Sequence, residues 1–146
     1  MLEQQVADLL AREAIRDLPL RYCDCVWRDD IDGIVALFTA AGSFTALIGD
    51  TETKVEGHDA LREFYAGAMD LMPRPYIHNH VVDLVADDFA TGRCYLDLRS
   101  ARNNMDWLGA GYYEDAYRAT TAGWKFASRR FFVVHMTELP EALSGD

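Results

Sequence analysis

The sequence lacks the features of several protein classes. No apolar run approaches the roughly 20 residues that span a bilayer, so no membrane anchor is expected. The first residues, Met1 to Gln5, have no basic segment followed by an apolar one, and no secretory signal is expected. Positive charge is scarce, because 14 Lys and Arg stand against 24 Asp and Glu, for a net charge of −10. Since phosphate binding needs clustered positive charge, neither nucleic acid nor a membrane surface is an expected partner.

Cysteine is also rare. The chain has three, Cys23, Cys25 and Cys94, and this odd number without a signal favours free thiols in a reducing, cytoplasmic location. Residues two apart on a helix face roughly opposite ways, so Cys23 and Cys25 do not share one ion. No second Cys/His pair stands at zinc spacing, and the glycines form neither a dinucleotide fingerprint nor a P-loop. The sequence therefore predicts no metal and no cofactor.

What is present suits one globular domain over residues 1–146, since half of the residues are hydrophobic and 12% are aromatic. Helical periodicity predicts a long helix from Glu3 to about Arg28, which either kinks or restarts at Pro19. A short second helix is predicted from Ile31 to about Thr39, and a third helix after Gly57. The helices thus lie in the first half of the chain.

The second half alternates with a period of two, which predicts long strands. Two short strands, Phe44 to Ile48 and Lys54 to Gly57, come first. The four long strands are Tyr76 to Val85, Ala90 to Ser100, Trp107 to Arg118 and Trp124 to Thr137. This segregation predicts the α+β class, with the helices packed on one face of a curved, mostly antiparallel sheet and closing one end of a pocket.

Four groups of residues along the chain also have an informative order and spacing. They are Ala14 to Leu18 with Arg21-Tyr22; Asp29 to Asp32 with Ala36-Leu37-Phe38; Val55 to Leu61; and Gly111 to Asp115 with Gly123 to Phe126 and Arg129. Together they resemble SnoaL-like domains of the nuclear transport factor 2-like superfamily, nearest the scytalone dehydratase-like branch. The resemblance implies a conical α+β barrel with a deep apolar pocket, in a homodimer or larger homo-oligomer formed through the sheet.

Dehydratases of this branch commonly use an Asp on the first helix and a His on the first long strand, the His acting as general base. Counted from Ile15, the Asp position falls on Trp27, which cannot replace a carboxylate and instead reads as a pocket wall. Asp24, one turn earlier on the same helix face, is the nearest carboxylate for the supporting role.

The position of the family's His falls on Tyr76, His78 or His80. Strand alternation places these three side chains on one face, and the resemblance implies that this face is the inner one. His78 and His80 are therefore both candidate bases, and Asp97 on the next strand is either their supporting carboxylate or an outer ion-pair partner.

Two tyrosines, Tyr113 and Tyr22, are candidates to donate a hydrogen bond to a substrate carbonyl or developing enolate. The apolar walls of the substrate-binding pocket are expected from Trp27, Phe38, Phe44, Phe64, Met69, Tyr76, Trp107 and Phe131. The predicted ligand is accordingly a small hydrophobic molecule.

These features favour a small cofactor-independent enzyme of the lyase, isomerase or cyclase type. Its reaction would be proton abstraction next to a carbonyl of a hydrophobic or polycyclic compound. The alternative is a non-catalytic ligand-binding protein or an oxygenase-associated subunit with the same fold, for which Trp27 at the Asp position is the main support. A third hypothesis is an assembly subunit whose sheet face is the working surface.

Overall fold

A computed structural model describes residues 1–143. Three α-helices come from the first half of the chain: α1 (Leu2–Trp27), α2 (Ile31–Val35) and α3 (His58–Ala68). Helix α1 runs without restarting through Pro19, whose ring is buried. No helix among these residues is long and apolar enough to cross a membrane.

Six strands form one sheet. They are β1 (Phe38–Ile48), β2 (Thr51–Glu56), β3 (Pro73–Ala86), β4 (Phe89–Ser100), β5 (Asp106–Thr120) and β6 (Gly123–Met136). Their order is β2-β1-β6-β5-β4-β3, and each pair is antiparallel except β1 and β6, which are parallel. The predicted α+β arrangement, with N-terminal helices on a curved and mostly antiparallel sheet, is confirmed.

The prediction of a helix up to Thr39 is wrong. Helix α2 ends at Val35, and Phe38 already begins β1. The backbone N–H of Phe126 donates to the carbonyl of Leu37 at 2.8 Å, and the Phe38 and Phe126 rings pack with centroids 5.3 Å apart. Pairing with a strand almost 90 residues away therefore overrides the local helical pattern.

A β-bulge in β3 changes which residues face inward. Ile77 pairs with Leu96, but His80 pairs with Cys94, so His78 and Asn79 together oppose a single residue of β4. An extra residue of this kind shifts the alternation by one position. His78 and His80 therefore lie on opposite faces of the sheet, and the prediction of a common face is wrong.

The core lies between the inner face of the sheet and helices α1 to α3. Ile15, Ile34, Leu61, Tyr117 and Phe126 are each fully buried in it. Burying one such large apolar side chain contributes about 1.5–3 kcal/mol, so this layer is a main source of the stability of the fold. The same inner face carries two charged side chains, Asp115 and Arg129.

Candidate functional site

A small apolar cavity lies between α1, α3 and the inner face of the sheet. The centre of a water-sized sphere can reach about 80 Å³ of it. Phe44, Phe64 and Phe131 contribute aromatic rings to its lining. All the other lining side chains are also apolar, except for three tyrosines, Tyr22, Tyr65 and Tyr113. The cavity therefore suits an apolar molecule that also accepts a hydrogen bond.

The tyrosines present hydroxyl groups that stay protonated. The Tyr22 and Tyr65 hydroxyls are hydrogen-bonded at 2.8 Å, and the Tyr22 and Tyr113 rings meet edge to face. Burial raises the pKa of Tyr22 to about 12 and that of Tyr65 and Tyr113 well above the usual value. At neutral pH these residues are hydrogen-bond donors rather than bases.

A buried guanidinium lies behind two of these rings. The Cζ atom of Arg129 is 3.5 Å from the ring centroid of Tyr113 and 4.3 Å from that of Tyr22. Its Nε–H donates to Oδ1 of Asp115 at 3.1 Å, while Nη1 and Nη2 are buried with no partner among the described residues. The positive charge opposes the effect of burial on the pKa of both tyrosines, so it stabilises negative charge that develops at their hydroxyls.

A chain of hydrogen bonds connects this arginine to His80. The Tyr117 hydroxyl donates to Oδ2 of Asp115 at 3.0 Å, and Nε2 of His80 lies 2.8 Å from the same hydroxyl. Nδ1 of His80 is buried and has no partner among the described residues. Burial, together with the charges of Arg129 and Arg16, lowers the pKa of His80 to about 4, so its imidazole is neutral at pH 7.

The structure brings only some of the predicted residues to the cavity. Tyr22, Tyr113, Phe44, Phe64 and Phe131 line it, as the sequence predicts. His80 and Phe38 lie on the inner side of the fold but are not among the lining residues. Phe38 packs instead between Tyr65 and Phe126.

His78 and Trp107 lie on the outer face of the sheet. Nε2 of His78 is 2.5 Å from Oδ2 of Asp97, and the Trp107 indole N–H donates to Oδ1 of the same carboxylate at 3.1 Å. Trp107 is also stacked on His135 with ring centroids 5.5 Å apart. The prediction that His78 and Trp107 face the pocket is wrong, for His78 because of the bulge in β3.

The end of α1 also differs from the prediction. The Trp27 indole N–H donates to the carbonyl of Pro75 at 2.8 Å, and its ring meets Tyr76 edge to face. Both aromatic rings are about 40% exposed and do not line the cavity. Asp24 is mostly exposed and pairs with Arg28 at 3.1 Å, so this carboxylate is oriented away from the site.

Sequence reasoning missed three residues of the inner network: Asp115, Tyr117 and Arg129. The available signal was strand parity, because Asp115 and Tyr117 share the alternation of the inward-facing Tyr113. A charged residue in a buried row must be paired, which would have directed attention to Arg129 on the neighbouring strand.

Metal binding and thiol chemistry find little support in residues 1–143. No three His, Cys, Asp or Glu side chains are grouped there as metal ligands. All three cysteines are buried and free, and burial raises the pKa of Cys23 to about 12 and that of Cys94 to about 11. These thiols are therefore protonated and unreactive at neutral pH.

Comparison with known proteins identifies the fold and the family. Residues 7–130 match the model of the SnoaL-like domain, whereas a comparison with curated proteins gives no significant match. An NTF2-like protein from Novosphingobium aromaticivorans is similar with a TM-score of 0.80 and 22% identity, over 91% of this chain and 88% of that one.

Two further structures are informative. A protein of unknown function from Mycobacterium tuberculosis is 27% identical with a TM-score of 0.76, over 93% of this chain and 77% of that one. A protein from N. aromaticivorans that is provisionally assigned as a scytalone dehydratase is 15% identical with a TM-score of 0.75, over 97% and 99% of the two chains. Because the matched model covers most of the sequence, the chain belongs to the family of SnoaL-like domains and has the NTF2-like fold.

Proposed function

We propose that this protein is a cofactor-independent enzyme of the lyase, isomerase or cyclase type that acts on a small hydrophobic carbonyl compound. One observation carries the proposal: protonated tyrosine hydroxyls line an otherwise apolar cavity, and a buried guanidinium is stacked directly behind the rings of Tyr22 and Tyr113. This arrangement donates hydrogen bonds and stabilises developing negative charge in one place.

The chemistry follows from that arrangement. A substrate carbonyl would accept a hydrogen bond from the hydroxyl of Tyr113 or Tyr22, and removal of a proton from the adjacent carbon would leave an enolate oxygen at the same position. The charge of Arg129 acts through the ring of either tyrosine in a cavity with an otherwise apolar lining. A preorganised donor of this kind typically contributes about 10²–10³ in rate.

His80 is the best candidate for the base. Its imidazole is neutral at pH 7, and the Nδ1 lone pair has no partner among the described residues. His80 pairs with Cys94, and Cys94 pairs with Tyr113, so base and donor lie in one inward-facing row two strands apart. Because His80 does not line the cavity, the proposal requires the cavity to extend along this row when substrate is bound.

A second function is favoured by a different observation. By the family resemblance Trp27 falls at the position of the Asp, and none of the cavity-lining residues is a base at neutral pH. A non-catalytic ligand-binding protein would retain the cavity and its tyrosine hydroxyls without any requirement for His80.

Hydrogen–deuterium exchange separates the two functions without knowledge of the product. The protein is incubated in D₂O with a panel of apolar ketones, and deuterium uptake next to the carbonyl is measured by mass spectrometry. We expect exchange on at least one ketone, reduced about 100-fold in Tyr113→Phe and unchanged in Tyr95→Phe, which alters the outer face. Ketone binding without exchange would establish the binding function, and neither binding nor exchange would contradict both proposals.

We also propose that the protein self-associates through the outer face of the sheet. Supporting this, Tyr112 and Phe132 are stacked there with centroids 4.9 Å apart, and Trp107 is 43% exposed nearby. Light scattering coupled to gel filtration would test it, with Phe132→Asp expected to give a monomer. A monomeric wild-type chain at micromolar concentration would contradict this proposal.

A further inference from the structure

We infer that Asp115 and Tyr117 are positioning residues that orient His80 and fix its tautomer, in place of a carboxylate from the first helix. The inference rests on the proposed function, because it concerns the base of that reaction. It assigns a role to two residues of β5 for which the sequence analysis predicts none.

The direction of each hydrogen bond follows from the number of protons. The two oxygens of Asp115 accept from the Nε–H of Arg129 and from the hydroxyl of Tyr117, which is the pattern of an ionised carboxylate. Tyr117 has one hydroxyl proton, and it donates that proton in the hydrogen bond to Asp115. Its oxygen therefore accepts from His80, so Nε2 carries the imidazole proton and Nδ1 carries the lone pair.

Packing holds the chain of hydrogen bonds in one geometry. Tyr117, Asp115 and Arg129 are all buried, and the Tyr117 ring packs on Phe126 with centroids 5.7 Å apart. The hydroxyl of Tyr117 lies over Gly92, where an added Cβ would come within 2.8 Å of it. Because these side chains are buried, packed and hydrogen-bonded to one another, the acceptor for His80 is held in place before substrate binds.

No carboxylate of α1 competes for this role. Trp27 is hydrogen-bonded to Pro75, and Asp24 is mostly exposed and paired with Arg28. Among residues 1–143, Asp115 is the only buried acidic side chain. The carboxylate that supports His80 thus comes from β5 through a tyrosine, and the free nitrogen that results is Nδ1.

The test is ¹⁵N NMR of the full chain with labelled histidine at pH 7, which reports tautomer and imidazole protonation directly. In the wild type we expect a neutral His80 with a proton on Nε2 that exchanges slowly with water. Tyr117→Phe removes the acceptor, so we expect the slow exchange of this proton to be lost. Tyr65→Phe is the matched control, because it deletes a buried hydroxyl that is bonded to Tyr22 instead, and we expect the His80 signals to be unchanged.

A proton on Nδ1, a doubly protonated His80, or a slowly exchanging Nε2 proton in Tyr117→Phe would each overturn the inference. Deuterium exchange into the ketone provides the second measurement. There, Tyr117→Phe should lower kcat at least about tenfold with little change in KM, because the oriented base is used only after binding. If the NMR result holds and no ketone exchanges, the proposed function fails while the tautomer assignment stands, so the two failures are distinguishable.

Discussion

The two faces of the sheet place a hydrogen-bonded carboxylate in opposite environments. On the inner face, Asp115 and Arg129 are both fully buried and the remaining guanidinium nitrogens have no partner among the described residues. On the outer face, Asp97 and His78 form a pair with side chains that are 38% and 55% exposed. Solvent screens the outer pair, so its contribution to stability is small, whereas the inner pair cannot lose one member without leaving a buried charge.

Two histidines that are only two residues apart in the sequence lie on opposite faces of the sheet. The bulge in β3 directs His78 to the solvent-exposed carboxylate of Asp97 and directs His80 to the buried hydroxyl of Tyr117. One extra residue in a strand therefore decides which imidazole belongs to the candidate site.

The largest effect is expected from breaking the buried pair. Asp115→Ala leaves an uncompensated guanidinium in the core, and we expect the free energy of unfolding in urea to fall by about 3–5 kcal/mol. Glu114→Ala, which removes the partner of Arg93 on the outer face, is the neighbouring control and should cost less than about 1 kcal/mol.

A double variant sharpens this prediction. Asp115→Leu with Arg129→Met removes both charges together, so it should be more stable than Asp115→Ala alone. If Asp115→Ala and Glu114→Ala lowered the free energy of unfolding equally, the buried pair would be no more important for stability than the exposed pair.

A smaller loss of stability is expected from adding a methyl group at Gly92, next to the hydroxyl of Tyr117. In Gly92→Ala the new Cβ would lie 2.7 Å from the carbonyl oxygen of Val81 and 2.8 Å from the Tyr117 hydroxyl, so the strand or the tyrosine must shift. We expect a cost of about 1–3 kcal/mol in thermal or urea unfolding.

Gly67→Ala in α3 is the matched control for this change. Its Cβ meets only Ala142, at 3.6 Å, and the substitution should stabilise the helix by about 0.5–1 kcal/mol. A neutral Gly92→Ala would mean that Tyr117 is not held against this glycine.

The pH dependence of stability should reveal His80. Burial lowers its pKa to about 4, whereas an unfolded histidine titrates near 6.5. Between these pH values the unfolded chain binds a proton that the folded chain does not. The free energy of unfolding is therefore highest, as far as His80 is concerned, above about pH 6.5. It falls by about 1 kcal/mol per pH unit as the pH drops toward 4. Urea titrations at several pH values should show a shallower acid slope in His80→Gln than in the wild type, and an unchanged slope would contradict the prediction.

The smallest effect is expected on the outer face. Hydrogen bonds from His78 and Trp107 lower the pKa of Asp97, so their stabilisation is present above its unfolded pKa and is lost as the pH falls through the lowered value. Because the side chain is exposed, Asp97→Asn should cost less than about 1 kcal/mol at pH 7 in urea unfolding. A loss as large as that of Asp115→Ala would contradict the comparison.

The sequence predicted the fold better than the site, for physical reasons. Period-two alternation in the last 70 residues gave four strands within a few residues of their observed bounds, because each strand has one buried face. Alternation could not reveal the bulge at His78 and Asn79, since two paired strands must be compared to see the extra residue. Tyr22 and Tyr113 were found because the family pattern contains them, whereas the partnership of Asp115 with Arg129 depends on the register between β5 and β6.

The parallel pairing of β1 with β6 has a consequence for biosynthesis. Phe44 is placed next to Arg129, a residue that leaves the ribosome 85 positions later. Local hairpins and helices can form as the chain emerges. The edge of β1 that pairs with β6, however, has no partner strand until nearly the whole domain has been made. Strand β6, which carries Arg129, joins the β1–β2 pair to the other three strands, so the aromatic cavity can close only after β6 has been synthesised.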